Sequence, residues 1–328
     1  MATSGSWNYS IDAAAAINMA LENIGVLIPG ATVVSAHQTM ALRKLNVIAK
    51  QFQGTSDGAP GMKVHTRQRV TLILAKGQQN YLIGPASSDA RASTQVGRTT
   101  IRAAEAAAQT VLDITATTDT TTYPGTTITM TASDIIGIEQ NDGTIFWTTI
   151  SSTGAGPTVT VGTGLDAAAA AGNYVWWFTS RAQRFPVIES AVLRNSDYND
   201  TPLEVYTDAR QYDQGGVDKY GDGTPTAILV EPLRITTSVT LNSQPTDVTE
   251  TIVMTVLYPA EDYDATSNDI AFPQEGYRFL AWELAFELAP SFGVPWTPVR
   301  EQNRKEAKAM YLNLNPENSV LYFQSGGL

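Results

Sequence analysis

The two ends of the chain carry helical patterns, and almost everything between them carries strand patterns. The helical blocks span 11–53 and 274–314, and they enclose roughly 200 residues of strand-like sequence. Neither block is long enough to bury a good core alone, because most helical stability comes from packing against other elements. We therefore expect the two blocks to pack on each other, with the β residues inserted between them. This layout favours a building block held by its neighbours over an enzyme with a central cleft.

These patterns predict an α+β protein. We expect a discontinuous helical domain from both chain ends with a large inserted antiparallel β region, built as sandwich or small barrel modules. The predicted parts are the helical domain, a β domain, an acidic β-module within it and an extended C-terminal tail. In that order they span 1–62 with 263–314, 63–98 with 182–262, 99–181, and 315–328. The module holds two basic residues against seven acidic ones, so its formal charge is −5.

Capping and stop signals set the limits of four predicted helices. Ser10 is the expected N-cap of the first, and Gly25 lies where its C-terminal cap should be. Pro290 stops the third helix. The second helix carries one apolar stripe at Ala41, Leu45, Ile48 and Phe52. The predicted helices cover 11–23, 34–53, 272 to the stop at 290, and 298–312.

Turn residues predict two hairpins in the β region. Gly77-Gln78-Gln79-Asn80 separates strands 70–74 and 81–83. Asn141-Asp142-Gly143, a strong tight-turn sequence, separates strands 135–140 and 144–150. The alanine runs 103–108 and 167–171 are too short for independent helices and predict turns or loops. Further strands are predicted at 158–161, 174–178, 187–193, 203–206, 227–230, 235–241 and 251–257.

The charge balance excludes a protein that grips DNA nonspecifically. The formal net charge is −11, whereas such binding needs a basic face. An acidic wall can still let DNA slide past, because carboxylates repel phosphates; a solvated acidic surface that aids solubility is the alternative. Only 16% of residues are charged, which is common where much surface is buried against partners, although plain β-rich globules share it. No apolar run is long enough for an ordinary membrane-spanning helix, and no signal peptide is visible.

No sequence motif indicates catalysis, a cofactor or a metal ion, so we predict no enzyme and no cofactor. The chain has no cysteine, and its two histidines, His37 and His65, lack partners at the spacing of a metal site or a catalytic triad. Two acidic runs, 218–223 and 261–264 with Asp269 beyond, could supply oxygen ligands to Ca²⁺. The same residues are typical of turns, and the distal Glu of an EF-hand is missing.

Three tryptophans leave two readings open. Trp147, Trp176 and Trp177 could form a sugar-stacking platform, or they could fill a core or an interface. Paired carboxylates for glycoside hydrolysis can be imagined in any acidic β-protein, but nothing here selects one pair.

Two segments are candidate interfaces. The only charges between 34 and 53 are Arg43, Lys44 and Lys50, all positive. In an acidic protein this basic helix is a candidate for docking or for facing DNA, or its polar side simply carries three cations. In the tail, Leu321, Tyr322 and Phe323 would be a liability unless they dock, so we expect a partner groove for them.

Both helical blocks resemble the head-to-tail adaptor proteins of short-tailed bacteriophages, also called tail accessory factors or tail tubular protein A. Residues 40–53 read MALRKLNVIAKQFQ and are similar to the family's signature helix, which ends in an aromatic residue before a glycine-bearing turn. Residues 272–277 and 280–295, FPQEGY and LAWELAFELAPSFGVP, are similar to its second signature, L-A-x-x-L-A-P followed by an aromatic–glycine pair. The two helical blocks that carry these motifs cover about a quarter of the chain. The first signature helix, 40–53, departs from the family because basic residues replace its usual acidic ones. The β insertion is also larger than that of the shortest family members.

The resemblance implies a non-catalytic virion protein of the tail or neck, assembled in the host cytoplasm. Its copies, usually twelve, would form a ring that joins the portal to the tail hub or nozzle. Genomic DNA would pass through the centre without specific binding, and no membrane is involved. The helical domain would form this ring and dock the portal, while the tail would reach into the portal or a neighbouring subunit.

Three rival interpretations stay open at this stage. One is a tail hub or nozzle ring of different symmetry, and another is a β-rich receptor- or carbohydrate-binding virion protein. The third is a glycan-cleaving enzyme, in which two carboxylates would converge in a cleft.

Overall fold

The computed structural model describes residues 9–51, 67–85, 91–122, 126–154, 156–215, 221–258 and 261–313. The chain is of mixed α+β class and divides into two compact units. The helical unit comprises Met1–His65 and Pro259–Leu328, and the β unit comprises Thr66–Tyr258.

Five α-helices lie in the described residues, and four of them belong to the helical unit. They are α1 (Ala13–Asn23), α2 (Ser35–Gln51), α3 (Ala209–Gln214), α4 (Tyr277–Leu288) and α5 (Pro298–Asn313). Short 3₁₀ turns, Gln274–Gly276 and Ala289–Phe292, flank α4. None of the described helices is both long and apolar enough to span a bilayer.

The first helix begins later than predicted. Its N-cap is Asp12, whose carboxylate accepts a hydrogen bond from the Ala15 amide at 2.7 Å, so the assignment of Ser10 as the cap was wrong. The cause is a short antiparallel pairing that keeps the backbone extended through Asp12, which bridges to Asp269. The predicted end is confirmed: Gly25 follows the helix with φ +75° and donates its amide to Glu22 O.

One apolar core joins helices from both ends of the chain. Leu21 of α1, Leu45 of α2 and Leu284 of α4 are all fully buried in it. The predicted stripe on α2 is confirmed at Ala41, Leu45 and Ile48, while Phe52 lies outside the described residues. By contrast, Ala307 is the only buried residue of α5 within 298–312, the part whose side chains the structure describes.

The strands of the β unit form two large sheets and a two-stranded ribbon. The eight-stranded sheet has the order β2-β15-β14-β13-β12-β16-β1-β3, the six-stranded sheet β4-β11-β8-β9-β10-β5, and the ribbon β6-β7. The strand bounds are β1 Arg67–Ile73, β2 Asn80–Ile83, β3 Arg91–Ser93, β4 Gly97–Thr100, β5 Val111–Asp113, β6 Thr118–Asp119, β7 Ile128–Thr129, β8 Ile135–Glu139, β9 Ile145–Thr153, β10 Thr158–Val161, β11 Tyr174–Phe178, β12 Val187–Arg194, β13 Asp200–Tyr206, β14 Ala227–Pro232, β15 Thr237–Leu241 and β16 Thr251–Leu257.

The eight-stranded sheet curls around its own core. All eight strands contribute apolar side chains to one buried cluster, from Leu72 on β1 through Val230 on β14 to Met254 on β16. The cluster includes side chains from both edge strands, β2 and β3, as well as from the strands between them. The six-stranded sheet has a separate core that includes Leu112, Ile136 and Trp177.

One predicted hairpin is wrong. Strand β1 pairs with β16 and β3, whereas β2 pairs with β15, so the segment 74–79 is not a tight turn between neighbouring strands. Gly77 has the φ of a turn residue, +72°, but its amide donates to the Pro245 carbonyl. A contact with a residue distant in sequence, Pro245, therefore helps to direct the chain from β1 to β2, which pairs with β15.

The second hairpin is confirmed. Strands β8 and β9 pair with Glu139 opposite Ile145, and the Gln140 amide donates to Thr144 O at 2.8 Å. Gly143 has φ +78°, the conformation that this turn demands of glycine. The two alanine runs form turns and loops, as predicted, and Glu105 bridges to Ala169 between them.

Candidate interface on the helical unit

The three cations on α2 have different surroundings. The ammonium of Lys44 donates to the Glu287 carbonyl and, at 2.9 Å, to Ser291 Oγ. Lys50 forms an ion pair with Asp262 at 2.9 Å. Arg43 is exposed and has no hydrogen bond or ion pair with another described residue. Of the three, Arg43 is therefore the cation available to a partner.

Lys44 belongs to the packing between α2 and α4. Carbonyls in the last turn of a helix lack intrahelical partners and carry a partial negative charge. Glu287 lies in the last turn of α4, so Lys44 both caps that end and links the two helices. Sequence reasoning identified the charge on Lys44 but not this partner.

The acidic run after the β unit is fastened to α2. Asn46 accepts a hydrogen bond from the Tyr263 amide and donates one to the Tyr263 carbonyl, both at 2.8 Å. Together with the Lys50–Asp262 pair, this holds 262–263 against the helix. No group of three potential metal ligands occurs in the described residues, so the calcium hypothesis for 261–264 gains no support. Residues 218–220 of the other acidic run lie outside the described ranges.

Exposed apolar side chains concentrate on the helical unit. Among the described residues, eight of the twelve large exposed apolar side chains lie in it, although it is the smaller unit. Ile28 in the α1–α2 loop is 76% exposed, and Val47, one turn from Arg43 on α2, is 65% exposed. The full set in this unit is Tyr9, Val26, Ile28, Val34, Val47, Val299, Met310 and Leu312. Apolar surface that stays exposed in one chain is available for burial against another.

Polar contacts hold α5 on α4. Arg304 donates from Nε and Nη2 to the Oε2 atom of buried Glu283, at 2.9 and 2.8 Å, and its guanidinium lies 4.0 Å from the Phe286 ring centroid. Burial by itself lowers the pKa of Arg304, but the hydrogen bond and charge of Glu283 outweigh it and the pKa is raised. The indole of Trp296 donates to Glu301 Oε2 at 2.9 Å, which lowers the pKa of that carboxyl.

The remaining sequence candidates do not assemble a site. His37 is exposed and packs edge-on against Phe292 at 4.9 Å, while His65 lies outside the described residues. Trp176 and Trp177 are almost fully buried, so the sugar-platform hypothesis is wrong for both. Trp147 is partly buried beneath Arg91, whose guanidinium lies 5.1 Å from the ring centroid.

Leu321, Tyr322 and Phe323 all fall outside the described ranges, so their expected docking stays a prediction.

On comparison with known proteins, no protein-family model matches the chain and no curated protein resembles it significantly in sequence.

Proposed function

We propose that this chain is a structural protein of the virion: a ring-forming head-to-tail adaptor that joins the portal to the tail hub or nozzle and lines the DNA channel. The observation that carries the proposal is the concentration of exposed apolar side chains on the helical unit. In an isolated chain these side chains would remain in water at a cost of about 25 cal/mol for each Å². Closure of a ring would cover them between copies.

The helical domain drawn from both chain ends would be the ring-forming part. Its two motif-bearing helices, α2 and α4, pack on each other through apolar contacts and the Lys44 bond. Arg43, which pairs with no other described residue, lies one turn from exposed Val47 and offers a neighbour one cation next to an apolar side chain. Such mixed patches are typical of interface cores, in which arginine and apolar side chains are enriched.

The net charge of −11 suits a channel through which DNA slides. Electrostatic repulsion between carboxylates and phosphates prevents adhesion, and DNA contact would then be nonspecific and transient.

Native mass spectrometry tests the proposal. The full chain would be measured alone and after mixing with the portal protein of the same virion. We expect the mixture to contain a complex that carries a closed ring of this chain on the portal. The ring should have about twelve copies if the chain follows the family that its helical blocks resemble.

Surface variants localise the contact. Ile28→Asp and Val47→Asp should abolish assembly because each replaces an exposed apolar side chain of the helical unit by a carboxylate. Val111→Asp is the matched control, since Val111 is also exposed but lies on β5 of the β unit. A wild-type chain that stays monomeric and ignores the portal would contradict the adaptor proposal, and a ring that forms but does not bind the portal would indicate a hub or nozzle.

A further inference from the structure

A cleft of about 330 Å³ opens on the β unit, and none of its lining residues belongs to the helical unit. It lies beside β4 and β11 of the six-stranded sheet, where the turn between β12 and β13 approaches them. Six threonines dominate its lining: Thr99, Thr100, Thr115, Thr118, Thr120 and Thr121. Arg98, Asp119, Tyr174, Tyr198 and Ala116 complete it.

Arg98 is held in a fixed position at this cleft. Its Nη2 atom donates to the Ser196 carbonyl at 2.7 Å, and its guanidinium carbon lies 5.0 Å from the Tyr174 ring centroid and 4.2 Å from that of Tyr198. A guanidinium carries five N–H donors, and this one makes no other side-chain hydrogen bond to a described residue. Arg98 therefore retains donors for a ligand without the need to reorganise.

Asp119 orders the wall of the cleft. Its buried carboxylate accepts hydrogen bonds from the Thr121 and Thr122 amides, from both of their hydroxyls and from the Arg98 amide. Because this carboxylate already accepts five hydrogen bonds, it has little capacity left to accept one from a ligand. Its charge balances that of Arg98, so the two ionic groups of the cleft sum to zero.

The backbone at Tyr198 is unusual for a residue with a large side chain. Its φ is +64°, in the left-handed region that side chains rarely adopt. Asn195 supports this turn, because its Oδ1 accepts from the amides of Asp197 and Asn199 at 3.0 and 2.9 Å. The result is that the Tyr198 ring reaches Arg98 and its hydroxyl lies 3.3 Å from Thr122 Oγ1. Strained conformations that surrounding contacts enforce concentrate at binding sites.

We infer that this cleft binds a neutral saccharide. Threonine hydroxyls both donate and accept hydrogen bonds, as sugar hydroxyls do, and Arg98 adds further donors. Tyr174 and Tyr198 supply aromatic carbon for the C–H faces of a sugar ring. Because the local charge sums to zero, the cleft favours an uncharged ligand over an anionic one. Its volume is at the low end of ligand pockets, about 300–1,000 Å³, which suits one terminal sugar residue of a longer chain.

This inference is independent of the proposed adaptor role. The cleft lies wholly in the β unit, so a ring could form through the helical unit whether or not the cleft is filled.

Binding to immobilised oligosaccharides tests it with the full chain. The neutral arm contains oligosaccharides that end in glucose, galactose, mannose or N-acetylglucosamine, and the anionic arm contains sialylated and sulfated ones. We expect binding in the neutral arm only. Saturation-transfer NMR with the best binder, free and as part of a bacterial surface polysaccharide, then shows whether the cleft takes a free sugar or a chain end.

Isosteric variants assign the binding to the cleft. Thr115→Val and Thr118→Val remove one hydroxyl each while preserving shape, and each should weaken binding at least five-fold. Thr153→Val, at the exposed end of strand β9 and outside the lining of the cleft, is the matched control and should leave binding unchanged. Tyr198→Ala should abolish binding. Because this third change could unfold the turn, the two threonine variants decide the outcome, with circular dichroism as the check on folding. No binding in the neutral arm, binding in the anionic arm alone, or unchanged binding by both threonine variants overturns the inference.

Discussion

At the scale of single residues, the Glu283–Arg304 pair makes the sharpest stability prediction. Arg304→Met leaves a carboxylate that is only 5% exposed without its cation. We expect a loss of about 3–5 kcal/mol in the free energy of unfolding of the helical unit, because an uncompensated buried charge is costly. Urea unfolding followed by circular dichroism at 222 nm measures it.

Two controls separate this effect from ordinary surface charge. Lys305→Met removes an exposed partner of Glu301, 3.6 Å away, and should cost less than about 0.5 kcal/mol. The double change Glu283→Leu with Arg304→Met removes both charges and should recover most of the loss. Equal losses in Arg304→Met and Lys305→Met would show that the burial of Glu283 has no energetic consequence.

The lowered pKa of Asp119 predicts that the stability of the β unit depends on pH. Burial alone raises the pKa of this carboxyl, but its hydrogen bonds from Thr122, Thr121 and Arg98 outweigh burial and the pKa is lowered. A lowered folded-state pKa stabilises the fold above the ordinary value of about 3.9, and this contribution is lost as the pH falls through the folded-state value. The Asp119→Asn variant lacks this pH-dependent contribution to stability. The difference in unfolding free energy between wild type and variant should therefore shrink between about pH 5 and pH 2, as urea titrations would show. A difference that is constant over this range would contradict the assignment.

At the scale of elements, α2 combines a structural cation, Lys44, with Arg43, a cation that has no partner in the described part of the chain. Lys44→Met removes one hydrogen bond to the last turn of α4 and one to the 3₁₀ turn that follows, and it should destabilise the helical unit by about 1–2 kcal/mol. Arg43→Met, the adjacent position, should change stability by less than about 0.5 kcal/mol, since the side chain is exposed. Thermal unfolding of the two variants measures this. If Arg43 proved the more destabilising of the two, the assignment of roles on α2 would be wrong.

Turns and helices that depend on neighbouring residues could be predicted from the sequence. The residues with which they form long-range hydrogen bonds could not. Asn141-Asp142-Gly143 specifies its turn by itself, because glycine supplies the positive φ at the required position. Gly77 also has a positive φ, but the Pro245 carbonyl determines where its chain leads, and no local signal encodes that contact. Likewise, Asn46 and Tyr263 bond across a separation of 217 residues. The charge on α2 was therefore visible in the sequence, but which cation remains free was not.

The cleft on the β unit could not be predicted from the sequence either, because its residues come from segments that are distant in the chain. The tryptophans drew attention as the candidates for sugar stacking, yet alternation on β11 buries both Trp176 and Trp177 in the sheet's two faces. The neighbouring Tyr174 lines the cleft instead, together with Tyr198 from a turn of the other sheet. A threonine-rich stretch at 115–122 was the only local signal, and threonine is equally common on ordinary strand surfaces.

At the scale of the whole molecule, the β unit should fold without the helical unit. Its first and last strands are paired neighbours, with Arg67 opposite Leu257, so the two connections to the rest of the chain leave from adjacent points. Closely spaced ends and a separate core are the properties of an independently folding insertion. Both large sheets complete their cores from residues within Thr66–Tyr258.

Expression of residues 66–258 alone tests this prediction. We expect a cooperative urea transition and a dispersed amide NMR spectrum, because no core cluster of the fragment uses a side chain from the helical unit. The full chain should then show two transitions, and Arg304→Met should shift only the one absent from the fragment. A fragment of 1–65 alone is the contrasting case: its α1 and α2 share their core with α4, so it should lack a cooperative transition. An unfolded 66–258 fragment would mean that the β unit depends on the helical residues for its stability, despite its self-contained cores.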